Sequence, residues 1–113
     1  MQHDLAYLAD ILQAATLVLQ FVQPITYKEF AGDVKTQAAV IREFEIMGEA
    51  AGRVSTLFAV DHPDLPWRQM VSVRNRLIHG YDDTDLEVVW EAARTNIPKL
   101  IELIAPLVKD EEE

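Results

Sequence analysis

The chain has 113 residues, of which 50% are hydrophobic, and no low-complexity linker, so we predict a single globular domain spanning residues 1–113. It contains no cysteine, which excludes disulfides, thiolate metal sites and a cysteine nucleophile. The formal net charge of −9 argues against a broad nucleic-acid-binding surface, so an RNA substrate would have to meet a small basic pocket in an acidic body.

The N-terminal apolar stretch contains Asp4 and Asp10 and has no basic leader, which is not the pattern of a signal peptide. We expect no apolar run of membrane-spanning length. The sequence therefore predicts a cytoplasmic protein with no membrane partner.

Apolar residues spaced three and four apart predict a first helix over residues 3–22, which Pro24 terminates. Thr26 is placed to cap a single helical turn after it. We interpret Tyr27 and Phe30 in that turn as a plug over the end of a helical bundle, with base stacking as the alternative.

A second, long helix is predicted to be capped by Asp33 and to continue to about Phe58. It carries two apolar stripes, which indicate two neighbours, the core and a second subunit. Gly48 and Gly52 lie inside this helix, where a glycine costs roughly 1 kcal/mol. We therefore expect another helix to pack closely against them.

Residues 61–66 form a predicted loop because they include two prolines. His62 in this loop has no second histidine or carboxylate at ligand spacing, so we predict an exposed side chain and no metal site. A third helix is predicted to begin near Pro66 and to end at Gly80, since glycine tolerates the left-handed conformation that closes helices.

The acidic residues after the third helix have the pattern of a helix start. Thr84 followed by Glu87 matches a capping box, which explains the cluster without a cation. A fourth helix should then run to about Val108, with Pro98 kinking it or splitting it near Asn96. Because no alternating strand pattern occurs in the sequence, the predicted fold is all-α, an up-and-down four-helix bundle.

Residues 74–81 bring an arginine, an amide, an imidazole and a phenol into one short segment. The guanidinium of Arg74 can bind phosphoryl oxygens, and the imidazole of His79 can transfer a proton near neutral pH. Asn75 and His79 share a helical face, whereas Arg74 and His79 are about 140° apart. They meet if Arg74 reaches across or if a second copy faces the first. Arg76 points away and is interpreted as a surface or partner-binding charge.

The sequence Arg74-Asn75, three residues, then His79-Gly80-Tyr81 resembles the signature of the HepT-like branch of the HEPN ribonucleases. These are toxins whose partner is a minimal nucleotidyltransferase antitoxin. The resemblance runs from about Leu5 to Leu107. It implies a metal-independent endoribonuclease with no cofactor, working as a two-fold homodimer and cleaving RNA to 2′,3′-cyclic phosphate ends.

The resemblance also implies roles for individual residues. Arg74 and His79 are the expected catalytic pair, with Asn75 and Glu49 as supporting residues. Tyr81 is the expected site at which the nucleotidyltransferase attaches AMP and so neutralises the toxin, as in a type VII-like toxin–antitoxin pair.

Three alternatives remain open from the residues alone. Arg74 can pair with a carboxylate such as Glu49 while His79 simply ends a helix. The protein can be a non-catalytic accessory or substrate-binding subunit of a nucleotidyltransferase, with Arg74, Arg76 and Tyr81 as contact residues. It can also be a helical dimer that only scaffolds a complex.

Overall fold

Helices account for all the regular structure in the part of the chain that the computed structural model describes, residues 3–80 and 82–112. The elements are α1 (Asp4–Val22), α2 (Tyr27–Ala31), α3 (Val34–Arg53), α4 (Thr56–Asp61), α5 (Trp67–Ile78), α6 (Asp83–Glu91), a π-helical segment (Ala92–Asn96) and α7 (Ile97–Glu112). The all-α prediction is confirmed. The four long helical stretches expected from the sequence are α1, α3, α5 and α6–α7, with α2 and α4 as short insertions.

Helix α1 is the centre of the core, because it packs against both α3 and α7. Its inward residues Leu8, Ile11, Ala15 and Val18 are completely buried. The expectation that no apolar run reaches membrane-spanning length was wrong, since α1 is long and apolar enough by length and composition. Core helices of globular domains satisfy the same criterion, and the buried face of α1 gives it that role here.

Helix α2 closes one end of the bundle, as predicted. Thr26 and Glu29 form a reciprocal capping box at its start. The Phe30 ring is fully buried and lies 5.3 Å from the Trp90 ring of α6, and the Tyr27 ring lies 5.9 Å from Trp90. These aromatic contacts join α2 to α6.

Helix α3 is capped by Asp33 as expected, but it ends at Arg53 and not near Phe58. The Ser55 hydroxyl accepts a hydrogen bond from the Phe58 N–H and begins α4. Asp4 holds this junction, because its carboxylate accepts hydrogen bonds from the Ser55 N–H at 2.8 Å and from the Ser55 hydroxyl at 2.7 Å. A contact from α1 therefore decides where α3 stops.

Helix α5 follows residues 62–66 and begins at Trp67, close to the predicted start. The indole Nε1–H of Trp67 donates to the His62 carbonyl at 2.9 Å, and the His62 ring stacks on Phe58 at 4.1 Å. His62 is therefore half-buried, whereas the sequence predicted an exposed side chain. Gly80 adopts φ +101° just past the helix, which confirms its predicted role in ending α5.

Helix α6 is capped two residues earlier than predicted. The Asp82 carboxylate accepts from the Asp85 N–H, and the Asp85 carboxylate accepts from the Asp82 N–H, each at 3.1 Å. This capping box replaces the one predicted for Thr84 and Glu87, which lie inside the helix. The acidic cluster therefore caps the helix as predicted, but the residues that do so are Asp82 and Asp85.

The predicted interruption of the last helix is confirmed. Residues Ala92–Asn96 form a π-helical segment between α6 and α7. Pro98 has no N–H, and its ring would collide with the carbonyl of Arg94 in an uninterrupted α-helix. The wider π turn moves that carbonyl aside. A second proline, Pro106, lies inside α7 without interrupting it.

Candidate active site at the end of α5

His79 is the C-terminal cap of α5, and its imidazole is exposed. The backbone turns away from the helix immediately afterwards, since the Gly80 N–H donates to the Leu77 carbonyl at 3.2 Å and Gly80 is left-handed. This geometry leaves the ring accessible at the end of a rigid helix. Tyr81, the predicted modification site, lies outside the described residues, so its role stays a prediction.

Arg74 lies one and a half turns before His79 and is half-buried. The base of its side chain packs directly on Gly48 of α3. A Cβ added at Gly48 would lie 2.6 Å from the Met70 carbonyl oxygen and closer still to the Arg74 Cβ. At the other end, the Arg74 Nη1 donates to Asn75 Oδ1 at 3.1 Å. The side chain is thus held at both its stem and its guanidinium.

Most arginines in the chain already have partners. Three of them form ion pairs, which are Arg42 with Glu45, Arg53 with Glu49 and Arg76 with Asp85. A fourth, Arg94, lies over the Trp90 ring and donates to the Val22 carbonyl. Within the described residues, Arg68 and Arg74 have no carboxylate partner. The guanidinium of Arg74 is therefore a positive charge with no counter-ion in the part of the chain that the structure describes, and it is available to an external anion.

Glu49 has a different neighbour from the one the sequence suggested. Its carboxylate accepts a hydrogen bond from Arg53 at 2.9 Å, and the two side chains line a small cleft with Tyr7 and Asp10 of α1. This arrangement removes the alternative in which Glu49 neutralises Arg74. On α3, Gly48 packs against the base of the Arg74 side chain.

Arg76 is an exposed surface charge, as predicted, but it already has a partner within the chain. It forms an ion pair with Oδ1 of the nearly buried Asp85, and so joins the end of α5 to the first turn of α6. Asp85 Oδ1 accepts no other hydrogen bond within the described residues. The ion pair and the Asp82–Asp85 capping box together fix the start of α6 relative to the end of α5, where His79 lies.

The predicted close approach of another helix is confirmed at Gly48, whereas Gly52 makes only an ordinary contact with Val71. Nothing in the sequence indicated that the neighbour of Gly48 is Arg74 or that Arg76 pairs with Asp85. The described residues include no group of three or more histidines, cysteines or carboxylates placed to hold a metal ion. Within one chain the structure brings the guanidinium of Arg74 and the amide of Asn75 into contact, and the imidazole of His79 follows at the end of the same helix. These are groups that suit phosphate binding and proton transfer.

The family model described as "Ribonuclease HepT-like" matches residues 11–107 of the chain. The chain belongs to this family. The resemblance of residues 74–81 to the HepT-like signature is therefore confirmed at the level of the family. The matched span includes all the predicted site residues, which are Glu49, Arg74, Asn75, His79 and Tyr81.

Three relatives of the chain carry ribonuclease names. "Probable ribonuclease HepT" from Thermococcus cleftensis is 43% identical over 94 residues, covering 83% of this chain and 86% of that protein. A "Putative RNase" from Methanocaldococcus jannaschii is 36% identical over 105 residues, covering 93% and 87%. A "Putative RNase" from Caldanaerobacter subterraneus is 30% identical over 105 residues, covering 93% and 94%. No solved structure matches the chain.

Proposed function

We propose that this protein is a metal-independent endoribonuclease that cleaves RNA to 2′,3′-cyclic phosphate and 5′-hydroxyl ends. The observation that carries the proposal is the state of Arg74, a guanidinium fixed by Gly48 and Asn75 yet without a carboxylate partner in the described residues. It lies on the same helix end as the exposed His79. Family membership and the names of the relatives support a ribonuclease.

The chemistry uses the nucleophile that RNA itself carries. A base removes the proton from a 2′-hydroxyl, the oxygen attacks the adjacent phosphorus, and the bond from phosphorus to the 5′-oxygen breaks as an acid protonates that oxygen. His79 is the base or the acid. Arg74 neutralises the charge that develops on the phosphorane oxygens.

Asn75 supports this pair. Its Oδ1 accepts from Arg74, which leaves its amide NH₂ to donate to the phosphate or to orient His79. Asn75 acts beside Arg74, whereas Glu49 supports the site from further away, because its carboxylate contacts Arg53.

A two-fold homodimer completes the site in this proposal. In-line cleavage favours an acid and a base on opposite sides of the phosphate, whereas one chain supplies one histidine at this position. Two α5 ends facing each other across a two-fold axis provide both. Ile78, which precedes His79 and is 46% exposed, gives this end of α5 an apolar surface for a second copy.

We further propose that the protein is the toxin of a cytoplasmic toxin–antitoxin pair. A minimal nucleotidyltransferase would transfer AMP to the Tyr81 phenol, adding bulk and negative charge two residues from His79. RNA would then be excluded by occupancy and by repulsion. Tyr81→Phe should keep cleavage and escape inhibition by the partner. Mass spectrometry that finds the adduct on another residue would overturn this assignment.

The nuclease is tested by incubating RNA with the wild type, Arg74→Ala and His79→Ala. We expect fragments with cyclic phosphate ends from the wild type and none from either variant, with no effect of a chelator. Arg42→Ala is the control, because Arg42 is an exposed arginine whose nearest carboxylate, Glu45, is 3.9 Å away. Equal cleavage by His79→Ala, or loss of cleavage with the chelator, would contradict the mechanism.

The net charge of −9 favours one competing function, a non-catalytic subunit that binds a nucleotidyltransferase. Expression of the protein alone in bacteria separates the two. Growth arrest that His79→Ala abolishes supports the nuclease. A harmless protein that cleaves no RNA and binds the nucleotidyltransferase tightly supports the accessory subunit.

A further inference from the structure

We infer that a groove along the outer face of α5 binds the unpaired RNA strand next to the scissile phosphate. This feature, called here the α5 groove, is a shallow and open depression whose lining residues all lie on α5, namely Trp67, Arg68, Val71, Ser72 and Asn75. The inference rests on the proposed function, because it extends the same site along the substrate.

The α5 groove is continuous with the candidate active site. Asn75 lines the groove and also accepts the hydrogen bond from Arg74. Arg68, Asn75 and His79 fall within a narrow arc of the helix at 100° per residue. Arg68 is two turns, or about 10 Å, from Asn75, so a strand whose phosphate is held at Arg74 and His79 extends along α5 towards it.

Charge distinguishes this groove from the rest of the surface. The chain has a net charge of −9, yet the residues lining the α5 groove include no acid and one arginine. Arg68 is exposed and has no carboxylate partner within the described residues. Arg68 can therefore contact a second phosphate of a strand whose scissile phosphate lies at the end of the helix, although Arg74 itself is about 120° further around α5.

Trp67 makes the groove suitable for an unpaired strand. Its indole is anchored by the hydrogen bond to the His62 carbonyl and by an edge contact with the Phe58 ring at 6.2 Å. An aromatic side chain that is already fixed can stack on a base with little loss of entropy. Stacking needs a base that is free of its neighbours, so single-stranded RNA fits here and a duplex does not.

The test measures binding without cleavage. The probe is a fluorescently labelled 2′-O-methyl polypyrimidine octamer, which lacks the 2′-hydroxyl nucleophile, and the readout is fluorescence anisotropy at several salt concentrations. We expect Arg68→Gln to weaken binding about tenfold and to reduce the slope of log K against log salt by about 0.7. The same octamer annealed to its complement should bind more weakly than the single strand.

Arg42→Gln is the matched control, since it removes an exposed arginine outside the groove, and it should bind like the wild type. Sedimentation of Arg68→Gln is measured in parallel. Unchanged affinity in Arg68→Gln would overturn the inference. A change in its oligomeric state would also overturn it, because the groove would then be an interface between copies of the chain.

The outcome for this groove is separable from the outcome for catalysis. Octamer binding that depends on Arg68, in a wild-type protein that cleaves no RNA, would reject the nuclease and support the groove. RNA cleavage that depends on His79, with octamer binding unaffected by Arg68→Gln, would support the nuclease and reject the groove.

Discussion

Gly48 and Arg74 are in direct contact across the interface of α3 and α5, with no side chain between the α3 backbone and the base of the arginine. The absence of a Cβ lets the two helices approach closely at the level of the candidate active site. The position of the guanidinium proposed to act in catalysis is therefore coupled to the spacing of two core helices.

Gly48→Ala tests this coupling. The added methyl group meets the Met70 carbonyl oxygen and the Arg74 stem, so α3 and α5 must separate. We expect a loss of about 1–3 kcal/mol in the free energy of unfolding, together with loss of RNA cleavage. Denaturant titration and a cleavage assay measure the two effects.

Gly52→Ala is its control on the same helix. The nearest atom to a new Cβ there is Val71 Cγ2 at 3.8 Å, an ordinary contact. This variant should gain about 0.5–1 kcal/mol from helix propensity and keep its activity. Equal behaviour of the two variants would show that the close approach at Gly48 has no special role.

The Arg76–Asp85 pair should stabilise the end of α5 more than an ordinary surface ion pair does. Arg76→Gln leaves the Asp85 carboxylate nearly buried and unpaired, although the arginine side chain is 51% exposed. We expect a loss of about 1–2 kcal/mol, below the range for fully buried pairs because of solvent screening. A double-mutant cycle with Asp85→Asn gives the coupling energy, and Arg42→Gln, whose partner is at 3.9 Å, should cost almost nothing.

Asp4 should make the fold sensitive to acid. Hydrogen bonds from the amino terminus and from Ser55 lower the pKa of Asp4 from 3.8 to about 2. A lowered folded-state pKa means that the unfolded chain binds the proton more readily, so the stabilisation is complete above pH 3.8 and is lost as the pH falls towards 2. Denaturant titrations at pH 5, 3 and 2 should show a smaller decline for Asp4→Asn than for the wild type. Parallel declines would exclude this contribution.

Ile78→Asp tests the proposed dimer. Ile78 is exposed in the single chain, so a charge there should leave the monomer folded. If two α5 ends meet, the introduced carboxylates would face each other at the interface, and we expect dissociation in sedimentation together with loss of cleavage. A folded, monomeric variant with full activity would contradict the composite site.

The hydrophobic spacing predicted the helical architecture because the same residues that repeat every three or four positions form the core. It could not predict where α3 ends, because that depends on Asp4, which bonds Ser55 from 51 positions away. The capping box of α6 was misplaced for a related reason. The sequence offers two equivalent capping patterns here, Asp82 with Asp85 and Thr84 with Glu87. The contact of Asp85 with Arg76 belongs to neither local pattern, so spacing could not choose between them.

In the candidate site, too, the features that are local in sequence could be predicted and those that depend on distant contacts could not. Arg74, Asn75 and His79 were recognisable because the signature is local in sequence. The residue that fixes Arg74 was not, since Gly48 precedes it by more than twenty positions and belongs to another helix. Residue identity indicated the chemistry, whereas the packing of α3 on α5 determines where the guanidinium lies.

The π-helical segment limits how the length of this chain can vary. Ala92–Asn96 accommodates one residue more than an α-helical turn would. Deleting one residue there would restore an ordinary α-helical turn, and the Pro98 ring would then collide with the carbonyl four residues before it. Adding one residue would rotate everything downstream by about 100° and turn Leu100 and Ile104 away from α1. Insertions and deletions among homologues should therefore be concentrated in residues 62–66, where the backbone leaves one helix before entering the next, and be rare between α6 and α7.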